Sequence, residues 1–210
     1  MKPAVKVCGL TSAADACAAS EAGADYLGFI FFPKSGRALT LEKFQEMRGS
    51  LPAKPWVYVQ VEPDPCELRR AVEEGFSLVQ VHCPAATVEE SLPGWLDAVG
   101  RERLWLAVKR PPEEPIPPVC LERVDTFLID TCRPGVFGGT GETGDWGAFS
   151  QLATEYPDKN WVLAGGLNPD NLREAVRRSG ARIVDVGSGV ESEPGRKDRL
   201  RLQALFAALD

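Results

Sequence analysis

The chain has 210 residues, 44% hydrophobic and 26% charged, a balance that supports a buried core rather than a disordered chain. A formal net charge of −6 argues against nucleic-acid or anionic-membrane partners, both of which want a basic face. The opening MKPAVKVCGL is too polar for a signal peptide, and the longest apolar run, near Tyr26 to Phe32, falls far short of the roughly 20 residues of a membrane span, so a cytoplasmic location is expected.

Short apolar, β-rich runs alternate with amphipathic helical stretches along the chain. Val5 to Cys8 reads as a buried strand; Thr11 or Ser12 then starts a helix, with Asp15 as a capping-box acid and Gly23 as its stop. Tyr26 to Phe31 is the second predicted strand, and Thr40 caps a helix that ends near Arg48. Trp56 to Val61 is the third strand, followed by the helix-start signal Asp64-Pro65-Cys66-Glu67. Leu78 to Val81 is the fourth; Thr87-Val88-Glu89-Glu90 reads as another capping box, with Pro93 and Gly94 expected to interrupt or kink its helix. After the fifth strand, Leu104 to Val108, the proline-rich PPEEPIPPVCLER predicts a fifth helix that is short or missing. Thr126 to Ile129 is the sixth strand, and a glycine-rich loop leads to a helix from Trp146 to Glu155. Trp161 to Ala164 is the seventh, after which Asn168-Pro169 is expected to open a helix reaching Arg178. Ile183 to Val186 is the eighth strand, and Asp198 to Ala208 closes the chain as a helix.

Eight strands, each reading as apolar on both faces, imply a parallel sheet covered on both sides. Eight strand–helix units in this length fit an α/β fold of the closed (β/α)8 TIM-barrel type, as one domain over residues 1–210, better than an open doubly wound sheet, which would use fewer units. The six cysteines, at positions 8, 17, 66, 83, 120 and 132, form no C-x-x-C pair and no zinc spacing, and read as free thiols, mostly small buried hydrophobes.

In such a barrel the chemistry sits at the C-terminal ends of the strands. Gly165-Gly166 after strand seven and Gly187-Ser188-Gly189 after strand eight let backbone amides approach an anion, with a nearby helix N-terminus adding its dipole; the phosphate reading is preferred here over plain tight turns. Cys8 and Asp130 end strands one and six on opposite sides of the mouth, a thiolate that can take a proton and a buried carboxylic acid that can give one. Taken alone, Cys8 reads more simply as a structural thiol, and it would need help from helix N-termini or loop amides to ionise. The loop GVFGGTGETGDW (135–146), with Gly139, Thr140 and Gly141 at its centre, reads either as a substrate lid or as a surface loop. Arg37 could pair with a carboxylate or sit solvated, and His82, the single histidine, could line the mouth or be structural.

Seven segments in order, KVCGLT (6–11), GADYLGFIFFPKSGR (23–37), QVHC (80–83), LIDT (128–131), GGTGETGDW (138–146), LAGGLNPDNL (163–172) and VDVGSGVESEPGRKD (184–198), resemble phosphoribosylanthranilate isomerase of tryptophan biosynthesis. The resemblance implies an Amadori rearrangement of a small phosphorylated substrate, with no cofactor and no metal, by a monomer or homodimer. It implies Asp130 as general acid, Cys8 as general base, Arg37 on the substrate carboxylate, His82 and Asp185 near the substrate, and Gly165, Gly166, Gly187, Ser188 and Gly189 on the phosphate. Glu142, Gly144, Gly187, Cys83 and the proline-rich fifth unit depart from the family pattern and bear on affinity and rate rather than on reaction type. The alternatives are another phosphosugar barrel enzyme of tryptophan or histidine biosynthesis, or a non-catalytic barrel that binds a phosphorylated metabolite. A synthase of that group would want a lysine acid at a strand end, and none stands at the six strand ends considered above; a dual-substrate isomerase would want an aspartate where strand one carries Cys8.

Overall fold

The structure, a computed structural model, describes residues 2–111, 114–131 and 145–210. Eight strands, β1 (Ala4–Cys8), β2 (Tyr26–Ile30), β3 (Trp56–Val61), β4 (Leu78–Pro84), β5 (Leu104–Lys109), β6 (Thr126–Asp130), β7 (Asn160–Ala164) and β8 (Ile183–Val186), pair in parallel in chain order, and β8 closes the ring against β1. The helices between them are α1 (Ala13–Ala22), α2 (Leu41–Arg48), α3 (Pro65–Glu73), α4 (Ala85–Val99), α5 (Pro118–Arg123), α6 (Trp146–Glu155) and α7 (Leu172–Ser179), and α8 (Arg199–Ala207) comes after the last strand. The fold is therefore the expected (β/α)8 barrel, with a fifth helix of only 6 residues. Among the described residues no helix is long and apolar enough to cross a membrane.

Alternation along each strand divides the core in two. One set, including Val5, Val7, Leu27, Phe29, Val79, Val81, Phe127 and Leu163, packs outward under the helices. The other fills the lumen: Trp105, Ala107, Leu128, Val162 and Ala164 on one side, Cys8, Val57 and Val59 on the other, with Tyr26 and Leu78 touching both groups. Tyr26 meets Trp105 edge-on, ring centres 5.1 Å apart, so the lumen is plugged by side chains rather than open. Each such fully buried apolar side chain contributes about 1.5–3 kcal/mol.

The lumen is not apolar throughout, however. Lys6 on β1 and Gln80 on β4 are buried facing it, while Gln60 on β3 is buried on the outer face, where its amide donates to the Phe31 carbonyl at 3.3 Å; this corrects the reading of strands apolar on both faces. Helix starts hold where a short polar side chain directly precedes the helix: Ser12, Thr40, Asp64, Asp145 and Asp198 all accept from first-turn amides. Asp15 does not complete a capping box; its carboxylate accepts from the Lys197 amide at 3.2 Å, tying α1 to the segment after β8. Thr87 lies inside α4, which begins at Ala85, and its hydroxyl donates to Glu62 at 2.8 Å; Pro93 is carried within the same helix without ending it. Asn168-Pro169 forms a turn instead of a helix start, since Asn168 Oδ1 accepts from the Asp170 amide at 2.9 Å, and α7 begins only at Leu172. Of the five described cysteines, all free, Cys8, Cys83 and Cys120 are buried as expected, but Cys17 is half-buried and Cys66 is exposed.

Sequence reading also missed the segment between β8 and α8. A short 3₁₀ turn (Ser188–Val190) leads into a two-stranded antiparallel ribbon, β9 (Glu191–Glu193) with β10 (Arg196–Lys197), before α8 begins. This ribbon folds over the C-terminal ends of β1 and β2, where the Gly195 carbonyl accepts from the Thr11 hydroxyl at 2.5 Å.

Candidate active site

Cys8 is the last residue of β1 and shares its inward face with Lys6; it is buried at 8% exposure. Asp130 is the last residue of β6, on the inward face with Leu128. The two strands are three steps apart round the ring through β8 and β7, so both groups border the same mouth. Asp130 is exposed rather than buried, which corrects the expectation of an enclosed carboxyl group. The next residue, Thr131, turns its hydroxyl back to the Ala164 carbonyl at 2.9 Å and fixes where β6 ends.

Lys6 stands one inward position below Cys8 and is fully buried. Its ammonium donates to Asp185 Oδ1 on the neighbouring β8 at 2.9 Å, and its charge also acts on the Cys8 sulfur beside it. Burial pulls the Lys6 ammonium down, but Asp185 and then Cys8 outweigh it, so the group is held above the ordinary lysine range and stays charged. Burial pushes the Cys8 thiol up, and Lys6, then Lys197, work against that push while Asp185 adds to it. Two buried lysines thus favour the Cys8 thiolate against its burial.

Lys197 reaches the site from β10. Its ammonium donates to the Cys8 carbonyl at 2.6 Å, to Glu191 Oε1 at 2.8 Å and to the Gly187 carbonyl at 3.1 Å. Glu191 in turn accepts from Arg37 in a two-pronged pair, Nε to Oε1 at 2.8 Å and a terminal nitrogen to Oε2 at 2.6 Å. The anion that Arg37 holds in this structure is therefore the chain's own Glu191. Arg37 also covers Gly9, whose φ of +77° belongs to the left-handed region. Lys6, Glu191 and Lys197 are the site residues that sequence reading passed over. A lone lysine within Ala-Val-Lys-Val-Cys looks like a solvent-facing position, and the ribbon that brings Glu191 and Lys197 back had no signature of its own.

Across the lumen, His82 on β4 is hydrogen-bonded at Nε2 to the Gln80 side-chain amide at 2.8 Å. Burial first and the Lys6 charge second push its pKa below the usual histidine value, although Asp185 and Asp130 oppose this, so the ring is neutral at pH 7. The charges of Lys6, Asp185 and Asp130 thus all reach His82 across the mouth. Lys109, which ends β5 on the same face as Trp105 and Ala107, is a lysine at a strand end that the shorter predicted strand had left out.

Gly165 and Gly166 come directly after β7 with φ of +102° and +64°. The Asn171 side chain donates to the Gly166 carbonyl at 3.0 Å, which holds this turn in shape. A Cβ on Gly189 would overlap the Leu167 carbonyl oxygen, so the loops after β7 and β8 lie directly against each other. Ser188 and Gly166 are exposed there. The 3₁₀ turn spans 3 residues, so these loops offer backbone amides more than a helix dipole. Gly139, Thr140 and Gly141, with Glu142, Gly144 and Cys132, lie outside the described residues.

The sequence profile described as "N-(5'phosphoribosyl)anthranilate (PRA) isomerase" matches residues 5–208. An N-(5'-phosphoribosyl)anthranilate isomerase from Granulibacter bethesdensis is 38% identical over 216 residues, covering 98% of this chain and 97% of that protein. The crystal structure of phosphoribosyl anthranilate isomerase from Thermotoga maritima superposes with a TM-score of 0.80 at 31% identity, covering 99% of this chain and 98% of the other. A crystal structure of phosphoribosyl anthranilate isomerase in complex with reduced 1-(o-carboxyphenylamino)-1-deoxyribulose 5-phosphate gives a TM-score of 0.78 at 30% identity, with the same coverage. A profile match over nearly the whole chain, on a barrel of the same architecture, shows that the chain belongs to the N-(5'-phosphoribosyl)anthranilate isomerase family of enzymes.

Proposed function

We propose that this enzyme converts N-(5-phosphoribosyl)anthranilate into 1-(2-carboxyphenylamino)-1-deoxyribulose 5-phosphate in tryptophan biosynthesis, with Asp130 as general acid and Cys8 as general base. Asp130 gives its proton to the furanose ring oxygen, the C1–O bond breaks, and the anthranilate nitrogen lone pair forms the C1=N bond of a Schiff base. The Cys8 thiolate then takes the C2 proton, and the C2–H electrons form C1=C2 while the nitrogen recovers its lone pair. The resulting enol tautomerises to the ketone. Both proton transfers suit the residue types, since the acid and the base act on different atoms of one substrate.

The observation that carries this reading is the pair of inward-facing strand ends, Cys8 on β1 and Asp130 on β6, bordering one mouth. Exposure of Asp130 suits an acid that must be reprotonated from water after each turnover. The touching loops at Gly165, Gly166, Gly187, Ser188 and Gly189 suit a phosphate held by main-chain amides, away from the reacting carbons, where its binding energy positions the sugar. Arg37 meets the anthranilate carboxylate from its seat on Glu191, and His82 and Asp185 line the sugar side. The same reading takes residues 1–210 as one domain, working in the cytoplasm as a monomer or homodimer.

The test is turnover followed by loss of fluorescence of freshly made phosphoribosylanthranilate. Cys8→Ala and Asp130→Asn are each expected to lower kcat by about 100-fold or more with little change in KM. Near-wild-type turnover by either variant overturns its assigned role.

A further inference from the structure

A lysine buried in the lumen needs a reason. Taking the Lys6–Asp185 pair out of water is expensive, and such pairs are commonly matched or beaten in stability by apolar residues of the same volume. The neighbouring lumen positions are filled by Val57, Val59 and Leu78 without difficulty. What sets this place apart is the sulfur above it. A Cβ on Gly28 of β2 would lie 2.9 Å from Lys6 Cε, 3.0 Å from Lys6 Nζ and 3.0 Å from Cys8 Sγ, so the missing side chain vacates the space in which ammonium and sulfur meet.

We propose that Lys6 is the positioning residue of the Cys8 base, its ammonium divided between Asp185 and the thiolate that Cys8 forms when it works. The inference rests on the reading of Cys8 as the base. Lys197 cannot take this part, because its three N–H groups are already given to the Cys8 carbonyl, Gly187 and Glu191; it reaches the sulfur only through space. Lys6 has a hydrogen left after Asp185 is served. The charges around Cys8 complete the argument. Among the described residues, the cations Lys6, Lys197 and Arg37 and the anion Asp185 act on Cys8, while Glu191 pairs with both Lys197 and Arg37. Lys6 is held up in part by Cys8, and Cys8 is pulled down by Lys6, although burial still raises the thiol overall.

The test reads the thiol itself, by the pH dependence of thiolate absorbance after subtraction of the matching variant that also carries Cys8→Ala. Lys6→Met is expected to move the Cys8 titration upward, lowering the thiolate fraction at a fixed pH about tenfold or more, because a cation is lost and the Asp185 anion remains. The double variant Lys6→Met/Asp185→Asn should move it upward by less, and Asp185→Asn alone should move it downward, since the ammonium then serves the sulfur only. The rising limb of the kcat–pH profile of Lys6→Met should track its thiol, with KM little changed. Should Lys6→Met fail to fold, the double variant and Asp185→Asn still report the ordering. A Cys8 titration that is the same in the folded double variant as in the wild type, or that Asp185→Asn leaves in place, overturns the proposal. The titration needs no substrate, so it decides the coupling of Lys6 to Cys8 whatever the turnover of Cys8→Ala says of the base.

Discussion

Glu191 holds two cations at once, Lys197 on one oxygen and Arg37 across both. Burial pushes its carboxyl upward, but Arg37 and then Lys197 outweigh this and hold it below the ordinary carboxylate range. A carboxyl depressed in the folded state contributes stability above its unfolded pKa and loses it as pH falls through the folded value. The wild type should therefore lose this part of its stability only below about pH 4.5. Burial also drags the Lys197 ammonium down, and Glu191 offsets this only in part, so the pair is a poor source of stability yet costly to break. Glu191→Gln, which strands the fully buried ammonium, is expected to lower stability by about 3–5 kcal/mol at neutral pH, measured by urea unfolding, and to flatten the acid limb of the Tm–pH curve. Cys8 titrates upward of its ordinary value because burial dominates, so kcat should climb with pH above neutrality, as a pH–rate profile will show. At this scale the sequence was half legible. Cys8 and Asp130 are found by asking which reactive residues end a strand. Lys6 is hidden because position within a strand says which residues share a face, not whether that face is wet. Cys83, one residue from His82, faces outward into the helix layer, where burial pushes its thiol up to about 12 and makes it inert.

Among the elements, all eight strands were legible to within a few residues, because an apolar run between turn signals is a strong local cue. The helix starts that failed, at Thr87 and Asn168, failed for one reason: a polar residue that can cap a helix can also bond elsewhere. Thr87 found Glu62 in the loop after β3, and Asn168 closed on its own next residues. The loops after β7 and β8 belong together as one element of the site, and glycine at 189 is the hinge of that contact. Gly189→Ala drives a methyl group into the Leu167 carbonyl, so the two loops must part. The expected outcome is a KM raised about tenfold or more with a smaller fall in kcat, since the proposed positioning through the phosphate is weakened while the proposed acid and base are untouched. Steady-state kinetics on the purified variant decide this, and an unchanged KM would detach the loops from the phosphate. The short α5 was legible from its prolines, whereas the ribbon of β9 and β10 was not, being too short and too polar to stand out from a loop.

Over the whole molecule, the count of eight alternating units settled the architecture, because a parallel sheet that is covered on both faces and has this many strands closes on itself. The proposed anion site, built from two abutting loops at the end of the barrel, should stabilise the native state by mass action. Inorganic phosphate at about 100 times its Kd is expected to add about 2.7 kcal/mol, visible as a rise in Tm that Gly189→Ala diminishes. No rise at millimolar phosphate would count against the anchor.

The bond from Lys197 to the main chain of Cys8 spans 189 positions of sequence. During synthesis on the ribosome, the first strand emerges long before the segment that fastens it. A nascent chain ending ahead of Glu191 carries every group assigned to acid–base chemistry, yet leaves the Cys8 carbonyl without its Lys197 partner and Arg37 without its seat on Glu191. The ion pairs around the thiol are therefore completed only with the final tenth of the polypeptide.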